Sequence, residues 1–267
     1  MFISHKNSLK ENQYRIVNQK DNRWVAYNGI LVSNVCPHQG SLISTCNGDT
    51  SNRTCPYHGK TFNHKGVGIN TFHSLETRPL YDWRGLQFTV PISDNCLNDL
   101  SFDDYILREA RVDRVKATQE SILELFLDVE HIGHVHPGVY DKIGITENDI
   151  DNIDWYYYDW GNVQVVLSEH TIKAAWITVF PNTMIEYQND SLFITVAGKT
   201  INGYTDVHVF KYKNPEKSDD LYKMNSDIWE CAWEQDKNQA QLIVVPALID
   251  NLEKGQAQYR LWKNATD

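Results

Sequence analysis

The sequence predicts an α+β chain of two domains: a small all-β domain, then an antiparallel sheet with flanking helices. Three observations carry this. Residues from about Tyr14 to Val90 alternate short β-type runs with turn signals and keep no helical period for long. From Trp155 to Lys213 further strand-like runs follow one another between turns. Between and after these stretches, apolar residues recur at spacings of three and four, the helical period.

The elements follow in chain order. In WVAYNGILVSNV, Asn28-Gly29 sits between two strand-like pieces and marks a tight hairpin. NHKGVGI and WRGLQFTV repeat the pattern downstream. The polar run PISDNCLNDLSFDD has the composition of a linker, which divides the chain into domains 1–105 and 106–267. Thr118 then opens an amphipathic helix with Ile122, Leu125, Phe126 and Val129 on one face, ending near Gly133 and Pro137. Turns at Trp160-Gly161-Asn162, Pro181-Asn182, Gln188-Asn189-Asp190 and Asn202-Gly203 separate the strands of one sheet. From about Asp227 to Lys254 the spacing is helical, with a start or bend near Pro246.

Composition narrows the function classes. At 267 residues the length suits about two domains of ~150 residues. An apolar fraction of 41%, with 8 Trp and 14 Tyr, supplies two cores and argues against disorder. The net charge of -10 repels phosphate backbones and anionic lipid, so nucleic acid and membrane surfaces are not expected partners. The opening residues hold no apolar run of signal-peptide length, and no window approaches the ~18 apolar residues of a membrane span. A cytoplasmic location is the expectation. Five cysteines, an odd number, argue against a disulfide framework. Cys46, Cys96 and Cys231 have no partner spacing and are expected to be small, buried or half-buried apolar residues.

The chemistry lies in two short arms, Cys36-Pro-His38-Gln-Gly40 and Cys55-Pro-Tyr-His58-Gly59. Each offers one thiolate and one imidazole. A Cys2His2 zinc site would pair both cysteines on one arm and both histidines on the other, whereas here each arm is mixed. An iron–sulfur cluster with two Cys on one iron and two His on the other requires this mixture, and its neutral imidazoles raise the reduction potential. The glycines are expected to allow close backbone approach to the cluster sulfur, and the prolines to stiffen the loops.

C-x-H followed by C-x-x-H, with glycine after each arm, resembles the Rieske family. The quinol-oxidising branch of that family carries a further Cys in each arm, where this chain has Ser41 and Tyr57. The chain therefore looks like the lower-potential branch, the Rieske ferredoxins and Rieske oxygenases. A ferredoxin would end near residue 110, and this chain continues for about one more domain.

The run Asp128-Val-Glu-His131-Ile-Gly-His134-Val-His136-Pro137 resembles the mononuclear iron motif of Rieske non-haem iron oxygenases, D-x-x-H-x-x-x-x-H. A ferrous centre that activates O2 takes two imidazoles and one carboxylate on one face. The resemblance implies His131 and His136 as the imidazoles, and Asp236, on a C-terminal helix, as the carboxylate, with Glu234 the alternative. Asp128, three residues before His131, can orient that ligand. In the family, this aspartate also reaches the second cluster histidine, here His58, of a neighbouring subunit. His134 is expected to be a neighbour of the site. Glu124 stands where the family usually has Asn.

The resemblance further implies a helix-grip, START-like catalytic domain and a terminal oxygenase. Its cofactors would be a [2Fe-2S] cluster and Fe(2+), with O2 as co-substrate. Electrons would come from NADH or NADPH through a ferredoxin or flavin reductase, and the oxygenase would be a homotrimer acting on a small organic substrate by hydroxylation, dihydroxylation or oxidative demethylation. The rival expectations are an electron carrier with a non-catalytic second domain and a regulatory iron–sulfur protein.

Overall fold

Hairpins build the first compact unit, Phe2–Ser93 with Ser101–Asp104. A computed structural model describes residues 1–10, 12–17, 23–128, 130–168, 171–243 and 254–266 of the chain. The unit's strands are β1 (Phe2–His5), β2 (Gln13–Val17), β3 (Trp24–Tyr27), β4 (Ile30–Ser33), β5 (Gly48–Asp49), β6 (Asn52–Thr54), β7 (Thr61–Asn63), β8 (Thr77–Pro79), β9 (Tyr81–Trp83) and β10 (Leu86–Phe88). They form sheets of order β5-β2-β3-β4-β8, β1-β10-β9 and β6-β7. Asn28-Gly29 turns β3 into β4 as expected, with Gly29 at φ +78°.

The core of this unit joins Tyr14, Val25, Tyr27, Val32 and Phe62 to Cys36 and Cys55. Arg53, 2% exposed, ties its loops together. Its guanidinium donates to Asn34 Oδ1 (3.0 Å) and to the Ser33 carbonyl (3.2 Å), between the rings of Tyr14 and Tyr27. Asn34 stands two residues before Cys36, and Arg53 two before Cys55, so one buried cation sets the spacing of the two arms.

The second unit comprises Asp94–Leu100 and Tyr105–Asp267. It opens with β11 (Ile106–Val115), α1 (Gln119–Phe126), α2 (Glu130–Val135) and α3 (Glu147–Asp151). There follow β12 (Asp154–Tyr158), β13 (Gly161–Ser168), β14 (Thr171–Val179), β15 (Thr183–Gln188), β16 (Ser191–Ala197), β17 (Thr205–Lys213), α4 (Asp219–Ala240) and α5 (Lys254–Thr266). β12 to β17 pair successively in antiparallel fashion, and β11 closes against β17 to make seven strands. The α+β class is thus the one observed. Gly161 is required where β13 begins, because a Cβ there would lie 1.8 Å from the Thr178 carbonyl oxygen.

The helix α4 buries Asn225, Ile228, Trp229, Ala232, Trp233, Asp236 and Ala240, one stripe at helical spacing. Trp229 stacks on Phe193 of β16 with ring centroids 5.4 Å apart, and the Trp233 indole donates to Asp113 Oδ2 (2.7 Å). Beside them Lys211, 1% exposed, is held by Glu230, which also takes a bidentate bond from Arg111 (2.5 and 2.9 Å).

Several expectations are corrected. The helix opened by Thr118 is two helices: α1 ends at Phe126, and Asp128 lies in the break before α2. Val129 and Pro246 lie outside the described residues. α4 begins eight residues before Asp227 and ends at Ala240, and α5 was not anticipated. Cys46 and Cys231 are exposed, not buried, while Cys96 is intermediate.

The Arg111–Glu230–Lys211 group generates a stability prediction. Glu230→Ala removes the close partner of a buried ammonium and should cost about 3 kcal/mol in urea unfolding. Lys211→Met leaves Glu230 on Arg111 and should cost about 1 kcal/mol or less. Equal losses in the two variants would show that the group does not act in this way.

Candidate metal sites

The two cysteine arms fold alike. Cys36 N–H donates to the Ser41 carbonyl (2.8 Å) and Gly40 N–H to the Cys36 carbonyl (2.9 Å). Cys55 N–H donates to the Lys60 carbonyl (2.8 Å) and Gly59 N–H to the Cys55 carbonyl (3.0 Å). Gly40 and Gly59 have φ of +74° and +68°, and a Cβ at either would meet nothing within 4 Å. The glycines are therefore needed for left-handed backbone. The amides aimed at sulfur come from His38 and Gln39 toward Cys36, and from Tyr57 and His58 toward Cys55. Ser41 adds its hydroxyl to Cys55.

This frame sorts the donors. Cys36 and Cys55 are buried at 2% and 1% exposure and hydrogen-bond each other, while His38 and His58 are exposed with ring centroids 4.8 Å apart. Sulfur lies with sulfur inside, and nitrogen with nitrogen at the surface. That donor set fits a cluster whose two irons take different ligands, and it turns the imidazole edge toward solvent.

In the second unit His131, His136 and Asp236 bring one donor atom each within 4.8 Å of one another. Asp236 reaches them because it continues the inward stripe after Trp229 and Trp233. Glu234 is on the outer face, 61% exposed at its side chain and paired with Lys237. Asp236 thus lies within α4, close to its end, rather than at a helix start.

The hydrogen bonds around the triad decide what it can hold. A neutral imidazole has a single N–H. In His131, Nδ1–H donates to the Asp128 backbone carbonyl, and in His136 to the Gln235 side-chain oxygen at 2.8 Å. Both Nε2 atoms then face Asp236 Oδ1 with lone pairs, at 3.3 and 2.9 Å. That oxygen is buried and has no hydrogen-bond donor. Three converging lone pairs call for a cation. Burial works to lower the His131 pKa, but the neighbouring Asp236 carboxylate outweighs it and holds the imidazole above its usual value. Burial raises the Asp236 pKa, and the two imidazoles in their protonated form outweigh it, leaving that carboxyl below its usual range. Two nitrogens and a carboxylate oxygen converging on one point fit a divalent transition-metal ion.

Asp128 orients His131 through its carbonyl rather than its carboxylate, whose Oδ1 accepts the His131 backbone N–H (3.2 Å). Glu124 points inward and makes a bidentate pair with Arg260 (2.5 and 2.8 Å), so it neither faces solvent nor acts through a free charge. His134 is exposed on the wall of a groove of about 440 Å³ that it shares with His136 and Tyr140.

A chamber of about 20 Å³ is lined by the triad itself and by groups that sequence reasoning missed: Gln164, Trp176, Glu186 and Tyr140. Trp176 lines this chamber while only 6% exposed. Glu186 is 4% exposed, accepts the Trp229 indole N–H at 2.7 Å, and is pushed by burial up to about 7. Its sequence signal was a charge inside the strand run TMIEYQ. Gln235 carried no such signal.

The family model for the Rieske [2Fe-2S] domain matches residues 3–78. The putrescine 2-hydroxylase of Ralstonia nicotianae is 24% identical over 222 residues, 66% of this chain and 59% of that protein. The putrescine 2-hydroxylase of Bordetella bronchiseptica is 24% identical over 212 residues, 58% of this chain and 48% of that protein. The chain thus spans less than two thirds of the length of these curated relatives. Among solved structures, the quaternary ammonium Rieske monooxygenase CntA with L-carnitine gives a TM-score of 0.67 at 15% identity, covering 100% of this chain and 87% of that one. NdmA of Pseudomonas putida CBB5 gives 0.55 at 18% identity, covering 97% and 84%. Residues 3–78 match the Rieske [2Fe-2S] domain, and the chain has the fold of the solved Rieske oxygenases.

Proposed function

We propose that the chain is the terminal oxygenase of a Rieske system, with residues 1–105 as the electron-transfer domain and 106–267 as the oxygenase domain. Cys36, His38, Cys55 and His58 hold the [2Fe-2S] cluster, and His131, His136 and Asp236 hold Fe(2+). The observation that carries this is the convergence of two imidazole lone pairs on a buried carboxylate oxygen that lacks a donor. When bound, such an iron would supply one-electron and O2 chemistry.

The chain's own groups do the rest. The Asp128 carbonyl and the Gln235 side chain fix the tautomers, so that both Nε2 atoms stay available for metal. Burial of His136 and Asp236 keeps bulk water from the ligands. The exposed imidazole edge of the cluster loops is the side on which an electron donor can approach. The Asp128 carboxylate serves as the link toward the cluster of a neighbouring subunit in a homotrimer.

Electrons come from NADH or NADPH through a ferredoxin or flavin reductase, and O2 is used to hydroxylate or oxidatively demethylate a small organic molecule. The matched relatives support a nitrogenous one: they hydroxylate putrescine or are solved with L-carnitine. No helix among the described residues is long and apolar enough to cross a membrane, and the protein is proposed to work in the cytoplasm.

Three outcomes test this. His131→Ala and His136→Ala should keep the visible cluster spectrum while iron falls from about three to about two per chain and O2 uptake is lost; bleaching of the cluster would mean that the ligands are misassigned. Gln235→Leu should weaken iron retention on dialysis by about 10- to 100-fold, since the tautomer of His136 is no longer held. Asp128→Asn keeps the backbone carbonyl and should retain both metals, but slow oxidation of the reduced cluster in single-turnover mixing. An unchanged rate would remove the linking role.

A further inference from the structure

The end of α1 is held from outside the helix. In a continuous α-helix the carbonyls of Glu124 and Phe126 would each take the backbone N–H four residues on. Here the Asp128 N–H turns to the Leu125 carbonyl instead (3.2 Å). Side-chain amides from distant elements stand in at the two carbonyls: Gln256 Nε2 of α5 donates to Glu124 (3.0 Å), and Gln164 Nε2 of β13 to Phe126 (3.2 Å). The Leu127 N–H is shared between the carbonyls of Leu123 (3.2 Å) and Glu124 (3.3 Å), so the last four carbonyls of α1 all have donors. The helix therefore stops at Phe126 without an orphaned group, and the Asp128 carbonyl is left for His131 Nδ1.

Helix α5 lies along α1 in the opposite direction. Lys263 pairs with Glu120 and Arg260 with Glu124, Gln256 meets the Glu124 carbonyl, and Gly255 sits against Leu127. Gly255 permits the close approach, since a Cβ there would lie 2.7 Å from the Trp155 ring and 3.2 Å from the Leu127 carbonyl oxygen. The Glu124–Arg260 pair is enclosed, with side chains 11% and 16% exposed, whereas Glu120–Lys263, at 40% and 35%, lies at the rim. Other residues of α5 anchor it to the sheet. Tyr259 and Trp262 pack on Phe180 with ring centroids 5.3 and 5.2 Å away, and Gln258 donates to the carbonyls of Tyr158 (3.0 Å) and Gly161 (3.2 Å). A helix fastened to the sheet thus fixes where α1 ends.

Resting on the triad as the iron site, we propose that α5 positions one of its ligands from a distance, with Gln256 and Arg260 as the positioning residues. Neither belongs to the triad. By engaging the carbonyl and the carboxylate of Glu124 they hold the last turn of α1, and the break that follows keeps the Asp128 carbonyl on His131. The proton of that imidazole then stays on Nδ1, and Nε2 stays free for metal. His136, whose Nδ1–H is held by Gln235 of α4, does not depend on α5.

The test uses the chain with its [2Fe-2S] cluster in place and Co2+ loaded at the triad without O2. Competition against a chelator reads the Co2+ affinity. Proton NMR reads the exchangeable Nδ1–H of each ligating histidine, the His131 signal being the one that His131→Ala lacks. Gln256→Leu should weaken Co2+ binding by about tenfold or more and lose the His131 signal to solvent exchange, while that of His136 stays. Gln256→Lys, which keeps an N–H donor of similar reach, should restore both readings. Arg260→Met should act in the same direction as Gln256→Leu, and Lys263→Met, at the rim pair, should match the parent. Parent affinity or an unchanged His131 signal in Gln256→Leu would overturn the proposal. So would loss of both histidine signals, or equal weakening in Lys263→Met, either of which would make α5 a matter of packing alone. A parent that takes up no Co2+, or a His131→Ala variant that binds it as the parent does, would sink the iron-site reading and the proposal with it, whereas a binding parent with an indifferent Gln256→Leu sinks the proposal alone.

Discussion

The inward stripe of α4 is the constraint on which the second unit depends. Trp229 and Trp233 are too large to be left in water, and stacking Trp229 on Phe193 fixes the rotation of the helix over the sheet. One residue is about 100° of rotation. With the tryptophans seated, Asp236 is carried inward onto His131 and His136, while Glu234 is carried out to Lys237. The placement of the carboxylate is thus a by-product of apolar packing two turns away. The same indoles satisfy acids on the sheet, Trp229 on Glu186 and Trp233 on Asp113.

The two candidate metal sites are built by different physics. In the first unit each arm is a local device: a cysteine amide and a glycine amide close the same pair of bonds within six residues, twice over. Only the spacing between arms is long-range, and the buried Arg53 provides it through Asn34. In the second unit His131 and Asp236 are more than a hundred residues apart, and nothing local brings them together. The tautomers of His131 and His136 depend on a carbonyl exposed by a helix break at Asp128 and on a glutamine of α4. A continuous helix through Asp128 would have engaged that carbonyl in its own ladder.

The sheet face beneath α4 is unusually polar for an interior. Asn162, Gln164, Thr178, Glu186, Gln188, Thr195 and Lys211 are all buried there, among large apolar neighbours. Side chains of this kind weaken a core unless they are paired or used. Lys211 is paired with Glu230, and Gln164 donates to the Phe126 carbonyl. Glu186 is met only by neutral donors, beside the triad. Those polar positions separate two apolar clusters, one around Trp229 and Phe193 and the other around Trp176 and Tyr140.

Much was determined by the sequence alone. Strand runs and turn residues specify the hairpins, since Gly29 takes a left-handed φ and Gly161 a close approach that a side chain would forbid. The mixed Cys and His arms declare a two-iron donor set because both ligand types lie within three residues of each other. What lies beyond about one helical turn was not legible. Periodicity ran α1 and α2 together, because apolar spacing continues across a break that hydrogen bonds decide. The inward turn of Glu124 onto Arg260, the part played by Gln235 and the chamber around Glu186 each require partners from distant segments. Local chemistry is written in neighbouring residues, whereas the rotation of a helix over a sheet is settled only when the whole core packs, and that rotation selects which side chains meet.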